Sequence, residues 1–260
     1  MTIEEVFPNP TVKSVIFQIR FPALFAMESL IGDFQTKIME QFPESRQIIR
    51  ARIIMAEVGA DKNGPEQLQE ADTGAAKKIW QFESESGTVM NVTRDSLALT
   101  SSVHKTYANP EADVRFRDAI QLAVENLLRT TKIPKFRRIG LRYINNCPVP
   151  EGGIEEFRRW YDSALPLDRF EMDDALELQL LARVRRGGCH LAFRETLEKK
   201  GDDRILTLDF DAYEEGIKAE RYLEVSDHLH TLVSEEYERS IKEPVYDYMR
   251  QSEDTTHATG

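Results

Sequence analysis

Two carboxylates two residues apart are the first side chains in this chain that could do chemistry. In "LTLDFDAY" (Leu206–Tyr213), strand alternation puts Asp209 and Asp211 on one face and Leu206, Leu208 and Phe210 on the other. Such a pair could hold a divalent cation, or serve as acid and base in a metal-dependent hydrolase. No histidine or third acid stands in a fixed relation to them, so the expectation is a solvated strand face with no metal ligand assigned. His228 and His230 form an HxH within a predicted helix, where positions i and i+2 face apart. One surface histidine and one packing histidine are expected there. Cys147 and Cys189 are lone thiols without metal-ligand spacing. The chain has no GxxxxGK[ST] or GxGxxG phosphate loop and no GxSxG elbow. No catalytic residue and no cofactor is assigned on these grounds.

The remaining candidates are mainly cations. Arg20 ends the strand pattern "IFQIRFP", and Arg142 lies in "RRIGLRYINNCPVP", each opposite an apolar strand face. Arg183 and Arg185 share a face of a later strand, and Asn145 sits where the Arg142 strand exits. These five are the ligand- or partner-binding candidates. Guanidinium forks can clamp a phosphate or carboxylate bidentately, which would suit a sensor of a small anion such as a nucleotide. The favoured alternative is internal: a partly buried arginine needs a partner, and Asp and Glu are abundant here.

The elements that must position these residues are legible from periodicity. A strand through Val15, Phe17, Ile19 and Phe21 is followed by an amphipathic helix through Met27, Leu30, Ile31, Phe34, Ile38 and Phe42. "RQIIRARIIMAEV" reads as a strand, and residues 59–76 as a mobile loop. "KKIWQFES", "TVMNVTR" and "LALTS" read as a three-strand meander. A long helix from Pro110, with Ile120, Val124, Leu127 and Leu128 as its apolar stripe, closes the first half.

The second half repeats this order. Strand "FRRIGLRYIN" precedes helix "GIEEFRRWYDSAL", then strands in "DALELQLLARVRR", "CHLAFRETL" and "RILTLDFDAY". A final helix runs from Ala219 towards Arg250, with a kink or break at Pro244. Aligning "IFQIRFP" with "RIGLRYI" equates Phe17 with Ile139 and Arg20 with Arg142. The fold class is α+β: two pseudo-repeats of strand, helix, three-strand meander and long helix, mainly antiparallel sheet packed on the long helices. Residues 1–133 form the first repeat and 134–250 the second, packed as one globular unit, with 251–260 a disordered tail.

Of 260 residues, 34 are basic and 45 acidic, a net charge of −11 that argues against general duplex-DNA binding. Charge is uneven: residues 126–150 hold six cations and no acid. No stretch reaches the ~20 apolar residues of a membrane span. With no leader pattern and two cysteines, the expected compartment is the cytoplasm.

Several segments together carry a family resemblance: the N-terminal "NP", the strand ending "IRFP", "WQF", "SLALT", "GLRYIN" and the helix "LHTLVSEEYERSI". The chain resembles, over nearly its whole length, a sporadically distributed bacterial and archaeal family of uncharacterised proteins with the Leu-Arg-Tyr-Ile-Asn strand motif. Tyr237-Glu238 stands where that family carries Phe-Glu. The resemblance implies a fold but no activity. Sporadic distribution implies a gene that travels with antiviral defence, CRISPR-linked or toxin–antitoxin loci. The expected function is accordingly a non-enzymatic, cytoplasmic protein-binding accessory or regulator whose partner is another protein encoded nearby, with homodimerisation open.

Overall fold

The computed structural model describes residues 6–50, 77–104, 106–109, 115–201 and 203–251. The predicted loop 59–76, the later part of the "RQIIRARIIMAEV" strand, the Pro110 helix start and nearly all of the predicted tail fall outside these residues.

Among these residues nine strands form one antiparallel sheet: β1 (Val12–Arg20), β2 (Glu44–Arg50), β3 (Lys77–Glu83), β4 (Val89–Val92), β5 (Ser96–Ser101), β6 (Lys135–Pro148), β7 (Glu177–Arg186), β8 (Cys189–Lys200) and β9 (Asp203–Lys218). Their spatial order is β2-β3-β4-β5-β1-β6-β9-β8-β7, so the opening strands of the two halves meet at the centre. The register Phe17–Leu141 and Ile19–Ile139 lines up the apolar alternation of β1 and β6 on a single face. All four of these side chains are fully buried.

The helices cover that face. Helices α1 (Met27–Ile38) and α2 (Phe116–Thr131) pack on each other, and Phe34 of α1 meets Phe82 of β3 edge-on with ring centroids 5.8 Å apart. Helix α4 (Tyr222–Ser240) lies over β6 and β9, with Tyr237 edge-on to Phe210. Helix α3 (Gly153–Trp160) packs on α5 (Glu243–Arg250). The buried apolar residues of both halves form one continuous cluster.

The departures from the sequence reading have local causes. In the first half the β-branched segment at Ile48 is a strand, as read, but it joins the meander as an edge strand, so four strands, β2 to β5, follow the helix where the repeat formula has three. The second half has three. Helix α3 stops at Trp160, short of Leu165, because Tyr161 leaves the helix to bridge Ile241 and donates its hydroxyl to the Pro148 carbonyl at 2.5 Å. The long last helix is broken: Ile241 and Lys242 are extended, and Pro244 sits in the first turn of α5, where its missing N–H costs nothing. Lys132 closes α2 in the left-handed conformation, φ 55°, its amide donating to the Leu128 carbonyl.

Candidate functional site: the uncovered sheet face

Strand alternation leaves the second face of the sheet to side chains that cannot enter the apolar core. One residue from each of the nine strands falls in a single row across it: Arg46, Gln81, Asn91, Ala98, Gln18, Gly140, Tyr213, His190 and Arg185. Eight inter-strand steps make this row about 38 Å long. Among the described residues, the side chains of this face find their hydrogen bonds and ring contacts on neighbouring strands rather than on a helix.

Its charges are largely held by one another. Arg142 donates through Nε and Nη2 to the two carboxylate oxygens of Asp209, both at 2.7 Å, and Arg194 adds a third contact to Asp209 at 3.2 Å. Hydrogen bonding to Asp209 raises the Arg142 pKa, so this guanidinium is charged throughout the accessible range. Arg138 donates through Nη2 to both oxygens of Asp211, at 3.1 and 2.9 Å. The same guanidinium lies 4.1 Å over the Tyr213 ring, whose other neighbour is the stacked imidazole of His190, 4.7 Å away. A Cβ at Gly140 would sit 3.5 Å from the Arg138 guanidinium, in ordinary van der Waals contact.

The predicted site residues therefore separate. Arg20 and Arg142 share the face, but Arg20 is in register with Arg138, four residues from Arg142 along β6. Arg20 turns towards Gln18, donating to its amide oxygen at 3.1 Å. Arg142 reaches across to β9, to Asp209 in the row of Ile144, further along the sheet from Arg20. The two guanidinium groups do not converge on one small anion. Asn145 lies on the helix-covered face, buried, with its amide donating to the Leu208 carbonyl. Arg183 and Arg185 stand exposed on the edge strand β7. Arg185 contacts the His190 imidazole at 3.5 Å, and Arg183 has no ion-pair or hydrogen-bond partner among the described residues.

Asp209 and Asp211 correct the reading of a solvated strand face. Asp209 is 6% exposed and Asp211 half-buried, and arginines occupy the oxygens of both carboxylates. The two histidines divide as their spacing implies. His228 is exposed and its Nε2 meets the Gly187 carbonyl at 3.1 Å, tying α4 to the β7–β8 turn. His230 stacks on Tyr107 at 4.1 Å and its Nδ1 meets the Tyr143 hydroxyl at 3.1 Å. Desolvation pulls the His230 pKa down to about 4, with Asp227 opposing, so the ring is neutral near pH 7. Tyr107 in turn donates to Asp227, which Arg117 clamps through Nε and Nη2 at 2.8 and 2.9 Å.

Two further buried groups lie under the helices rather than on the open face. Glu195 accepts the Ala164 amide at 3.0 Å, and burial raises its pKa. Burial likewise pushes the Cys147 thiol up to about 12, so it is an unreactive packing residue at neutral pH. Arg138, Arg194, Tyr213 and His190 were absent from the sequence-level candidates. Residue parity alone would have placed Arg138 beside Arg142, and Tyr213 beside the two aspartates. The pairing of β8 with β9, which brings Arg194 and His190 to them, has no such signal.

Searches against family models, curated proteins and solved structures find no match to this chain. No helix among the described residues is long and apolar enough to cross a membrane.

Proposed function

We propose that this chain is a non-enzymatic binding protein that docks a protein partner on the uncovered face of its sheet. The observation that carries the reading is the open sheet face, crossed by a nine-residue row of seven polar side chains with Ala98 and Gly140 at its middle, and flanked by arginines paired with Asp209 and Asp211. A surface of amides, paired ions and two stacked rings suits recognition by shape and hydrogen bonding over a broad area. It suits the gripping of one small ion poorly, because the charges of Arg142, Arg138 and Arg194 are already paired with Asp209 and Asp211.

Ala98, at the middle of the row between Asn91 and Gln18, gives a direct test. Wild type captured from its native host should bring down a stoichiometric protein, and Ala98→Lys should lose it at unchanged melting temperature. A wild type that captures nothing, or a capture indifferent to Ala98→Lys, overturns the reading. An accessory role in a mobile defence locus is part of the same proposal and rests on the sequence resemblance. Its test is whether the captured protein is encoded beside this gene.

We also infer that the chain arose by internal duplication. Equating Phe17 with Ile139 and Arg20 with Arg142 puts Gln18 on Gly140, and those two residues are paired in the sheet. That is the position a local two-fold axis between the halves would take. Each half also closes its last strand on its first, β5 on β1 and β9 on β6. Strand β2 has no counterpart in the second half. An experimental structure whose halves superpose by a half-turn about the Gln18–Gly140 pair is the expected result, and one requiring a translation overturns it.

A further inference from the structure

An edge strand leaves every second N–H and C=O pointing away from the sheet, and natural proteins protect such edges with charge, bulges or a covering element. Strand β7 is one of the two edges here, pairs over ten residues with β8, and has no strand on its outer side among the described residues. The other edge, β2, continues into residues outside the described set and supports no comparable argument.

The outer half of β7 has a specific chemical pattern. Arg183 and Arg185 point to the open face, roughly 7 Å apart as i and i+2 residues of a strand. Arg183 is exposed with no partner among the described residues, and Arg185 has only its long contact to His190. Across the strand pair Arg183 faces the small side chain of Ala192, and Arg185 faces His190. On the opposite face of the same strand Val184 is 43% exposed, while Arg186 is turned back to Glu236 of α4. Residues 183–185 of the edge thus run cation, apolar residue, cation, in a molecule whose net charge is −11.

We propose that β7 is a strand-addition site for an extended acidic segment of a partner protein, in which carboxylates alternate with apolar residues. Backbone hydrogen bonds to the free edge supply the docking, carboxylates at every second position lie directly across from Arg183 and Arg185, and the intervening apolar residues lie beside Val184. A second copy of this chain is a poor occupant. Antiparallel pairing of β7 with itself about Val184 would set Arg183 against Arg185 twice over, and like charges directly opposite are unfavourable. The site is separate from the centre of the open face, and it stands or falls independently of docking there.

The probe is a fluorescein-labelled alternating Glu-Val peptide about eight residues long, followed by anisotropy and by hydrogen exchange on the full chain. Binding should weaken about tenfold or more between ~20 mM and ~300 mM salt, and the Glu177–Arg186 amides should gain protection. The double variant Arg183→Glu, Arg185→Glu alters only exposed side chains and should keep the wild-type melting temperature. It should lose the Glu-Val peptide and gain a Lys-Val peptide that wild type refuses. Ala98→Lys should bind the Glu-Val peptide as wild type does, which separates failure at this edge from failure of the open-face reading. No binding up to ~1 mM peptide, equal binding by the double variant, protection mapping away from β7, or peptide-independent dimerisation through β7 would each overturn the proposal.

Discussion

The most informative single side chain is Asp209. It is nearly buried, yet it stands where three guanidinium groups crowd one patch of sheet, and it accepts from Arg142 and Arg194 together. Its role follows from electrostatics: an arginine half removed from water needs its compensating charge close by. Removing the carboxylate leaves two cations facing each other. Asp209→Ala should therefore cost about 2 kcal/mol of unfolding free energy, measured by urea denaturation. In the double variant Asp209→Ala, Arg142→Ala part of that loss should return, because one of the orphaned cations is gone. Strictly additive losses would show that the pair carries no coupling. The sequence exposed half of this arrangement: the parity of Arg142 and of Asp209 was readable, but their shared row was not, since nothing local says which residue of β6 lies beside which residue of β9.

At the scale of elements, α4 is held to the sheet by a polar seam as well as by its apolar stripe. His230 of α4, Tyr143 of β6 and Tyr107 of the segment before α2 stack and hydrogen-bond together, with Asp227 and Arg117 closing the seam. The His230 pKa lies near 4 in the folded chain against an ordinary value of 6.5. The unfolded chain therefore takes up a proton at this position that the folded chain refuses, and folding loses stability as pH falls from about 6.5 to about 4. The full shift would be worth roughly 3 kcal/mol. The ring keeps some solvent contact, and about 2 kcal/mol is a better expectation. Comparing wild type with His230→Phe by urea denaturation at neutral and acidic pH checks this. The variant should lose less stability over that interval, and parallel pH profiles would exclude the histidine as the source. Helical spacing told the two histidines of α4 apart, but only the packed structure supplies Tyr107 and Tyr143 as the neighbours of the inner one.

At the scale of the molecule, the two halves share one sheet and one core across β1 and β6. Neither half is a closed unit. Cutting after residue 133 would bare the inner edge of β1 and remove Phe136, Ile139 and Leu141 from the apolar cluster. A 1–133 fragment should show no cooperative unfolding transition by circular dichroism, and should recover one when mixed with residues 134–260 if the strands re-pair. A fragment that unfolds cooperatively by itself would show that the first half is self-sufficient. Among the described residues, the β7 edge is unpaired and one face of the sheet carries no helix. That division of the surface is a property of the assembled sheet and of no one strand.

The sequence by itself determined which segments are strands and helices, which side of each strand is apolar, and that charged residues such as Arg20, Arg142, Asp209 and Asp211 stand opposite the core. Those facts follow from periods of two and of 3.6 residues, which are local. Only the tertiary structure decided, among the described residues, that nine strands join into one sheet with the helices on one side, and that Arg142 meets Asp209 while Arg183 has no ion-pair or hydrogen-bond partner. Strand order and register depend on how apolar faces far apart in the chain are buried together, and that burial is non-local. The same physics turned two apparently equivalent arginines into residues with different surroundings: β9 brings a carboxylate to Arg142, whereas β5 sets Ser96 across from Arg20.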